Sequence, residues 1–158
     1  MRKEKDEEYM QEALKQAEYA FSEDEVPVGA VIVHKGRIIA KSYNQVEKLK
    51  DPTAHAEMLA ITSATSSLGS KWLKDCSLYV TVEPCSMCAG ALILSRIDKV
   101  IFGTDDPKTG AFGSKFDINK LSLNHKMKVK KHLLKNESAA ILKEFFKNKR
   151  KRLSLATQ

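Results

Sequence analysis

Three residues of this sequence have the types and spacing of metal ligands. Cys85 and Cys88 form a C-x-x-C pair, and His55 precedes them in the chain. Zinc prefers thiolate and imidazole ligands in a tetrahedron, and a catalytic site keeps the fourth position open for water. No fourth protein ligand is evident. We therefore expect His55, Cys85 and Cys88 to bind one Zn²⁺ per chain and to leave room for a reactive water.

Glu57 is the acid–base candidate beside these ligands. It follows His55 by two positions, and residues so spaced point to nearly opposite sides of a regular helix. Both can face one metal ion only if His55 lies at the N-terminal edge of its helix. There, the Glu57 carboxylate could accept a proton from the reacting water and return it to the substrate.

The surrounding segments predict one α/β domain over residues 1–158. Periodicity and turn residues predict, in chain order, helix 5–22, strands 28–33 and 37–40, helix 54–67, strand 77–82, helix 86–96, strand 99–102, a weaker strand at 126–132 and helix 137–152. Two successive strand–helix–strand crossovers favour largely parallel central strands. Because helix N-termini then meet at one edge of the sheet, His55 can reach the two cysteines.

Charge is concentrated at the C-terminal end of the chain. The protein has 158 residues and a net charge of +7, with 27 basic and 20 acidic residues. From residue 120 onward, 12 basic residues face 2 acidic ones, so this part carries +10 and the rest −3. A basic end on a nearly neutral body indicates a polyanionic partner, although a solvated basic tail would show the same pattern.

Nothing in the sequence indicates a membrane protein or a secreted one. The longest apolar runs are far shorter than a bilayer requires, and the charged N-terminus has no apolar segment behind it. The cysteine count, 3, is odd, which argues against a disulfide framework. We expect a cytoplasmic protein.

The metal and acid–base residues lie in motifs that resemble the zinc-dependent nucleobase deaminases. These motifs are His55-Ala56-Glu57 and Pro84-Cys85-Ser86-Met87-Cys88. Four stretches narrow the resemblance to the bacterial-type tRNA adenosine deaminases (the TadA family): residues 25–31, 51–57, 83–91 and 108–111. The resemblance implies a cytidine deaminase-like three-layer α/β/α sandwich around a mixed five-stranded sheet.

The same resemblance implies a reaction and a partner. The family converts adenosine to inosine at the wobble position of a tRNA anticodon, in bacteria chiefly that of an arginine tRNA. Zinc-bound hydroxide would attack C6 of adenine while Glu57 shuttles protons. The family is homodimeric, so each anticodon stem-loop would contact both subunits.

Residues for substrate binding follow from the resemblance and from the basic C-terminal helix. By resemblance, Asn44 would hydrogen-bond the base beside the Ala54 backbone, and Val28 would form an apolar wall. Asp105, Asp106 and Lys108 match a loop that faces the substrate. In the basic helix the candidates for RNA contact are Phe145, Phe146, Lys149 and Arg150. One phenylalanine could stack on a base while the other packs into the body, or both could be core residues.

Three other functions remain open at the level of sequence. A deaminase of the same fold could act on a free base or nucleotide, such as guanine or deoxycytidylate. The chain could be a non-catalytic RNA-binding subunit with structural zinc, although inactive relatives typically lack the glutamate at the position of Glu57. Cys85 and Cys88 could also act as a redox dithiol without metal.

Overall fold

The secondary structure follows the order that the sequence predicts. The computed structural model describes residues 2–157. In chain order its elements are α1 (Arg2–Ser22), β1 (Gly29–His34), β2 (Arg37–Tyr43), α2 (Val46–Leu49), α3 (Ala56–Leu68), β3 (Cys76–Val82), α4 (Ser86–Leu94), β4 (Lys99–Thr104), a 3-10 turn (Ile118–Lys120), β5 (Lys128–Lys130) and α5 (Lys135–Ala156).

The strands form one mixed sheet in the order β2-β1-β3-β4-β5. β1 runs antiparallel to both of its neighbours, whereas β3, β4 and β5 pair in parallel. Since β2 and β3 are both antiparallel to β1, four of the five strands share one direction. The mixed five-stranded sheet and its parallel crossovers are therefore confirmed.

Helices cover both faces of this sheet. Successive strand residues point to opposite faces, so neighbours such as Val31 and Ile32 enter different cores. One core contains Ile32, Leu78 and Phe102 and packs against α3 and α4. The other contains Val31, Tyr79 and Ile101 and packs against α1. α5 lies beside α1, which gives the three layers implied by the resemblance.

Close packing of α1 on β1 requires a glycine at position 29. A Cβ there would lie 1.9 Å from the Ala13 carbonyl oxygen and 2.5 Å from the Ala17 nitrogen. Small and flexible side chains form the buried stripe of α1: Met10, Ala13, Ala17 and Ala20. The backbones of α1 and β1 can therefore approach closely, and this contact holds the helix directly on the sheet.

Several element boundaries differ from the predictions, and neither α2 nor the 3-10 turn was predicted. α4 ends at Leu94 rather than residue 96, because Arg96 adopts a left-handed backbone conformation with φ 59°. β5 is three residues long, and the left-handed His132 turns the chain out of the strand. α5 begins at Lys135 and continues to Ala156, beyond the predicted 137–152. Among residues 2–157 no helix has the length and apolarity needed to cross a bilayer.

Candidate metal and nucleobase site

The candidate metal ligands lie at the starts of two helices. His55 is the residue before α3, and Cys85 is the residue before α4; both have extended backbone conformations. α3 and α4 follow β2 and β3, whose carboxyl ends lie at the same edge of the sheet. His55 thus lies before the first helical turn. The rule that residues two positions apart point to nearly opposite sides of a helix therefore does not apply to His55 and Glu57.

The three ligand atoms form one compact group. His55 Nδ1 lies 3.6 Å from Cys85 Sγ and 3.5 Å from Cys88 Sγ, and the three atoms lie within 4.8 Å of one another. Tetrahedral zinc with ordinary Zn–S and Zn–N bond lengths would separate such atoms by about 3.6 Å. The donor types and their separations therefore fit a zinc ion.

The three candidate ligands perturb one another's pKa values. The hydrogen bond from Cys88, together with the adjacent His55, lowers the pKa of Cys85 to about 4. The hydrogen bond to Cys85 and burial raise the pKa of Cys88. The same contact with Cys85 raises the pKa of His55. One thiolate is therefore already formed, and metal binding must displace the proton that Cys88 holds.

Glu57 lies in the first turn of α3, with 4% of its surface exposed. Burial raises the pKa of its carboxyl to about 7. A carboxyl in that range can both accept and donate a proton near neutral pH. Glu57 and the ligands His55 and Cys85 line the same cavity.

This cavity has a volume of about 270 Å³. Sites for drug-sized ligands typically run from roughly 300 Å³ upward, so the cavity suits a single small group. Besides Glu57 and the ligands, five residues expected from the sequence line it: Val28, Asn44, Asp106, Phe145 and Lys149.

Asn44 directly follows β2 and is almost completely buried. Its Nδ2 donates a hydrogen bond of 3.4 Å to the Val26 carbonyl. Ala54 lies close by, because its carbonyl accepts a bond from the Gln45 amide, but Ala54 does not line the cavity. The side-chain amide of Asn44 is thus one of the polar groups that line the cavity.

Asp105 and Lys108 lie outside the cavity, unlike Asp106. The Asp105 carboxylate faces His132, whose Nε2 is 3.0 Å away, and the Lys135 ammonium at 3.7 Å. Lys108 is exposed, and its amide donates to the Asp106 carboxylate. Their assignment to substrate binding stays a prediction, since free contact with RNA would require Asp105 to leave these partners.

The two phenylalanines of α5 have different environments. Phe145 is 4% exposed and packs against the Phe21 ring with centroids 6.1 Å apart, while its other side lines the cavity. Phe146 is 40% exposed and lies outside the cavity. Arg150 is exposed on α5 and also lies outside it. Phe146 is therefore the more exposed of the two rings, and it packs edge-on against Phe145 with centroids 5.3 Å apart.

Two buried glutamates at the site were not anticipated from the sequence. Glu25 accepts hydrogen bonds from the Glu47 and Lys48 amides at the start of α2. Glu83 accepts bonds from the amides of the loop after β4. A charged residue directly after the apolar strand 78–82 was the available signal for Glu83.

Comparison with known proteins agrees with this geometry. The family model of the MafB19-like deaminases matches residues 4–150. A tRNA-specific adenosine deaminase of Aquifex aeolicus (strain VF5) is 52% identical over 143 residues, which cover 90% of this chain and 94% of that protein. The match thus extends over nearly the whole length of both proteins.

Solved structures of deaminases share the fold. One, from a study of A-to-I editing by tRNA:A34 deaminases at the wobble position of transfer RNA, has a TM-score of 0.79 and 43% identity and covers 85% of this chain and 99% of its own. A guanine deaminase from Nitrosomonas europaea has a TM-score of 0.75 at 27% identity and covers 88% and 83%. The chain belongs to the tRNA-specific adenosine deaminases, within the MafB19-like deaminase family.

Proposed function

We propose that this protein hydrolyses adenosine to inosine at the wobble position of a tRNA anticodon. The observation that carries the proposal is a single small cavity lined by His55, Cys85 and the buried Glu57, with Cys88 grouped beside the first two as a third candidate ligand. Several deamination reactions could use such a site. The sequence identity to tRNA-specific adenosine deaminases supports the adenosine of a tRNA as the substrate.

Zinc is the proposed cofactor, held by His55, Cys85 and Cys88. When bound, it supplies a Lewis acid that makes water nucleophilic near neutral pH. The Glu57 carboxylate accepts a proton from the attacking water as it approaches C6 of adenine. The same carboxyl would then donate this proton to ring nitrogen N1. It would next accept the second proton of the former water from the oxygen on C6 and pass it to the departing amine, so that ammonia leaves and the C6 carbonyl forms.

The cavity walls suit an uncharged base. Val28 offers an apolar surface, and Asn44 offers an amide that can both donate and accept hydrogen bonds. Carboxylates are frequent around the cavity, since Asp24, Glu47 and Asp106 also line it. They disfavour a phosphate inside the cavity, which argues against a free nucleotide substrate.

Phosphates of the RNA would instead meet the basic end of α5. Lys149 lies at the rim of the cavity, and Phe146 and Arg150 are exposed one turn or less away on the same helix. An anticodon loop is single-stranded, so its bases can enter a pocket or stack on an aromatic ring without opening a duplex. We propose an arginine tRNA as the substrate and the cytoplasm as the compartment.

A homodimer through α4 is part of this proposal. Leu94 of α4 is 79% exposed, and Trp72 and Leu123 beside it are also exposed. These side chains line an open apolar depression together with Met87. Because α4 begins directly after Cys85, a second copy on this face would bring its own residues close to the first copy's site. Leu94→Glu should convert a dimer to monomer in light scattering; an unchanged mass would place the interface elsewhere.

Inosine formation in a tRNA transcript tests the reaction. Purified protein with zinc should convert the wobble adenosine of an arginine tRNA, and the same transcript with guanosine at that position serves as the control. Ammonia release from free guanine or deoxycytidylate, without conversion of the transcript, would favour the alternative deaminases. Metal analysis should give about one zinc per chain, whereas a redox dithiol would contain none.

A further inference from the structure

Glu83 is a buried carboxylate at the metal site that the proposed chemistry does not use. It lies between the end of β3 and Pro84, two residues before Cys85, and only 2% of its surface is exposed. Among residues 2–157 its carboxylate forms no ion pair with a basic side chain. A buried charge of this kind is tolerated only if hydrogen bonds replace the lost water.

Those hydrogen bonds all come from the loop over residues 105–114. The Asp106 amide donates to Oε1 at 3.0 Å, and the Phe112 and Ser114 amides donate to Oε2 at 3.0 and 3.2 Å. The Ser114 hydroxyl donates to Oε1 as well. Four donors from three residues of one loop thus converge on one carboxylate.

The fit between Glu83 and this loop is close. A Cβ on Gly110 would lie 2.3–2.4 Å from the carboxylate atoms, so only glycine can occupy that position without displacing Glu83. The loop also pairs with the ligand segment, through a bridge between Gly110 and Cys85 and a bond of 2.9 Å from the Ala111 amide to the Pro84 carbonyl.

The loop supplies one wall of the nucleobase cavity. Asp106 and Thr109 of this loop line the cavity. They follow β4, whereas Asn44, which also lines the cavity, follows β2. The Asp106 carboxylate binds the amides of Lys108 and Thr109, so the conformation of this wall depends on where the Asp106 backbone lies. Glu83 fixes that backbone directly.

We propose that Glu83 is a positioning residue: it holds the 105–114 loop as a wall of the nucleobase cavity and thereby controls binding of the RNA. This inference rests on the proposed function. Glu83 also borders the cavity, but its carboxylate oxygens bind the amides of the 105–114 loop, so we expect it to act through Asp106 and Thr109 and to leave the chemistry of Glu57 unchanged. Loss of the contact should therefore weaken substrate binding more than it slows the chemical step.

Glu83→Gln tests the inference with little change of volume. An amide has one acceptor oxygen, so its NH₂ group must replace either Oε1 or Oε2. At the Oε2 position it would face two backbone amides, whereas at the Oε1 position the Ser114 hydroxyl can turn and accept. The NH₂ group should therefore face Asp106, whose amide alone loses its partner.

The expected result is a rise of at least fivefold in KM for an anticodon stem-loop, with kcat within twofold of wild type and an unchanged zinc content. Amide hydrogen exchange should accelerate at Asp106, while Phe112 and Ser114 remain protected. Ser114→Ala is the matched control, because it removes one hydroxyl donor and leaves the Asp106 bond in place; its KM should change less than twofold.

Gly110→Ala approaches the same contact from the loop and should raise KM in the same way as Glu83→Gln. An unchanged KM in both variants would overturn the inference. So would loss of zinc or faster exchange throughout α3 and α4, which would indicate a general structural role. Wild-type protein inactive on the stem-loop would contradict the proposed function itself, whereas the exchange measurement would still decide whether Glu83 holds the loop.

Discussion

His55 and Glu57 are two positions apart and have different proposed roles, because α3 begins between them. The extended conformation of His55 turns its ring toward the cysteines, and Glu57 enters the first helical turn with its carboxyl buried. Cys85 likewise has an extended conformation directly before α4, whereas Cys88 lies inside that helix. At the scale of residues, the site therefore depends on two helix starts rather than on either helix interior.

Replacing Glu57 should separate chemistry from metal binding. Glu57→Gln keeps the size of the side chain but cannot accept a proton, so deamination should fall by about 10² to 10⁴-fold. Zinc content and thermal unfolding should stay as in wild type, since the metal ligands are unchanged. Glu18→Gln, on the exposed face of α1, is the control. Substantial inosine formation by Glu57→Gln would contradict the assigned role and show that another group transfers the proton.

At the scale of elements, a buried polar contact ties α1 to the sheet. The Asp6 carboxylate accepts a hydrogen bond of 2.5 Å from the Tyr79 hydroxyl of β3 and one of 2.9 Å from the Lys130 ammonium of β5. Burial alone would raise the pKa of Asp6, but the bonds from Tyr79 and Lys130 outweigh it and leave the pKa below its usual value of 3.8. The ionised form is therefore favoured in the folded state.

The sign of this shift predicts how stability depends on pH. A lowered folded-state pKa contributes stability above the unfolded value of 3.8, and the contribution is lost as pH falls through the folded value. Asp6→Asn should lower the free energy of unfolding by about 1–3 kcal/mol at pH 7, and by less at pH 3. Urea denaturation at the two pH values measures this difference.

Asp24→Asn provides the comparison for Asp6. The hydrogen bond from Arg152 lowers the pKa of Asp24, but this pair is exposed to solvent. Exposed pairs contribute little to stability, so the variant should unfold like wild type at both pH values. Equal losses in the two variants would show that the Asp6 contact has no special part in joining α1 to the sheet.

At the scale of the whole molecule, the basic charge and the candidate catalytic residues lie in different parts of the sequence. The part before residue 120 carries −3 and contains the metal ligands and Glu57, whereas the part from residue 120 carries +10. α5 brings the basic part to the cavity through Phe145 and Lys149. The proposed function would then place a neutral base in the cavity and the phosphates of the RNA against α5.

Removal of charge from α5 should change the salt dependence of RNA binding. Each phosphate contact that is lost reduces the slope of log K against log salt by about 0.7–1. Lys149→Gln with Arg150→Gln should therefore weaken stem-loop binding and flatten the slope by about 2. Lys74→Gln, in the turn before β3 at the opposite edge of the sheet, should leave the slope unchanged. Equal slopes in all three proteins would mean that α5 does not contact phosphates.

The sequence was most informative where residue type alone limits the chemistry. Two cysteines and a histidine in a recognised motif predict a metal group, and the structure brings the three side chains together. Glu83 could not be found in this way, because its donors are loop amides that approach it only once β4 has packed beside β3. Asp105 matched a substrate loop, but its orientation depends on His132, a distant residue in the sequence.

The two outer strands of the sheet have a consequence for self-association. β5 is only three residues long and carries Lys128 and Lys130, and β2, at the other margin, carries Arg37 and Lys41. Lys130 and Lys41 form ion pairs with Asp6 and Glu12, so the shortness of β5 and the charges of Lys128 and Arg37 are what oppose pairing with an identical strand. We therefore expect both margins of the sheet to disfavour association by strand pairing between copies of the protein.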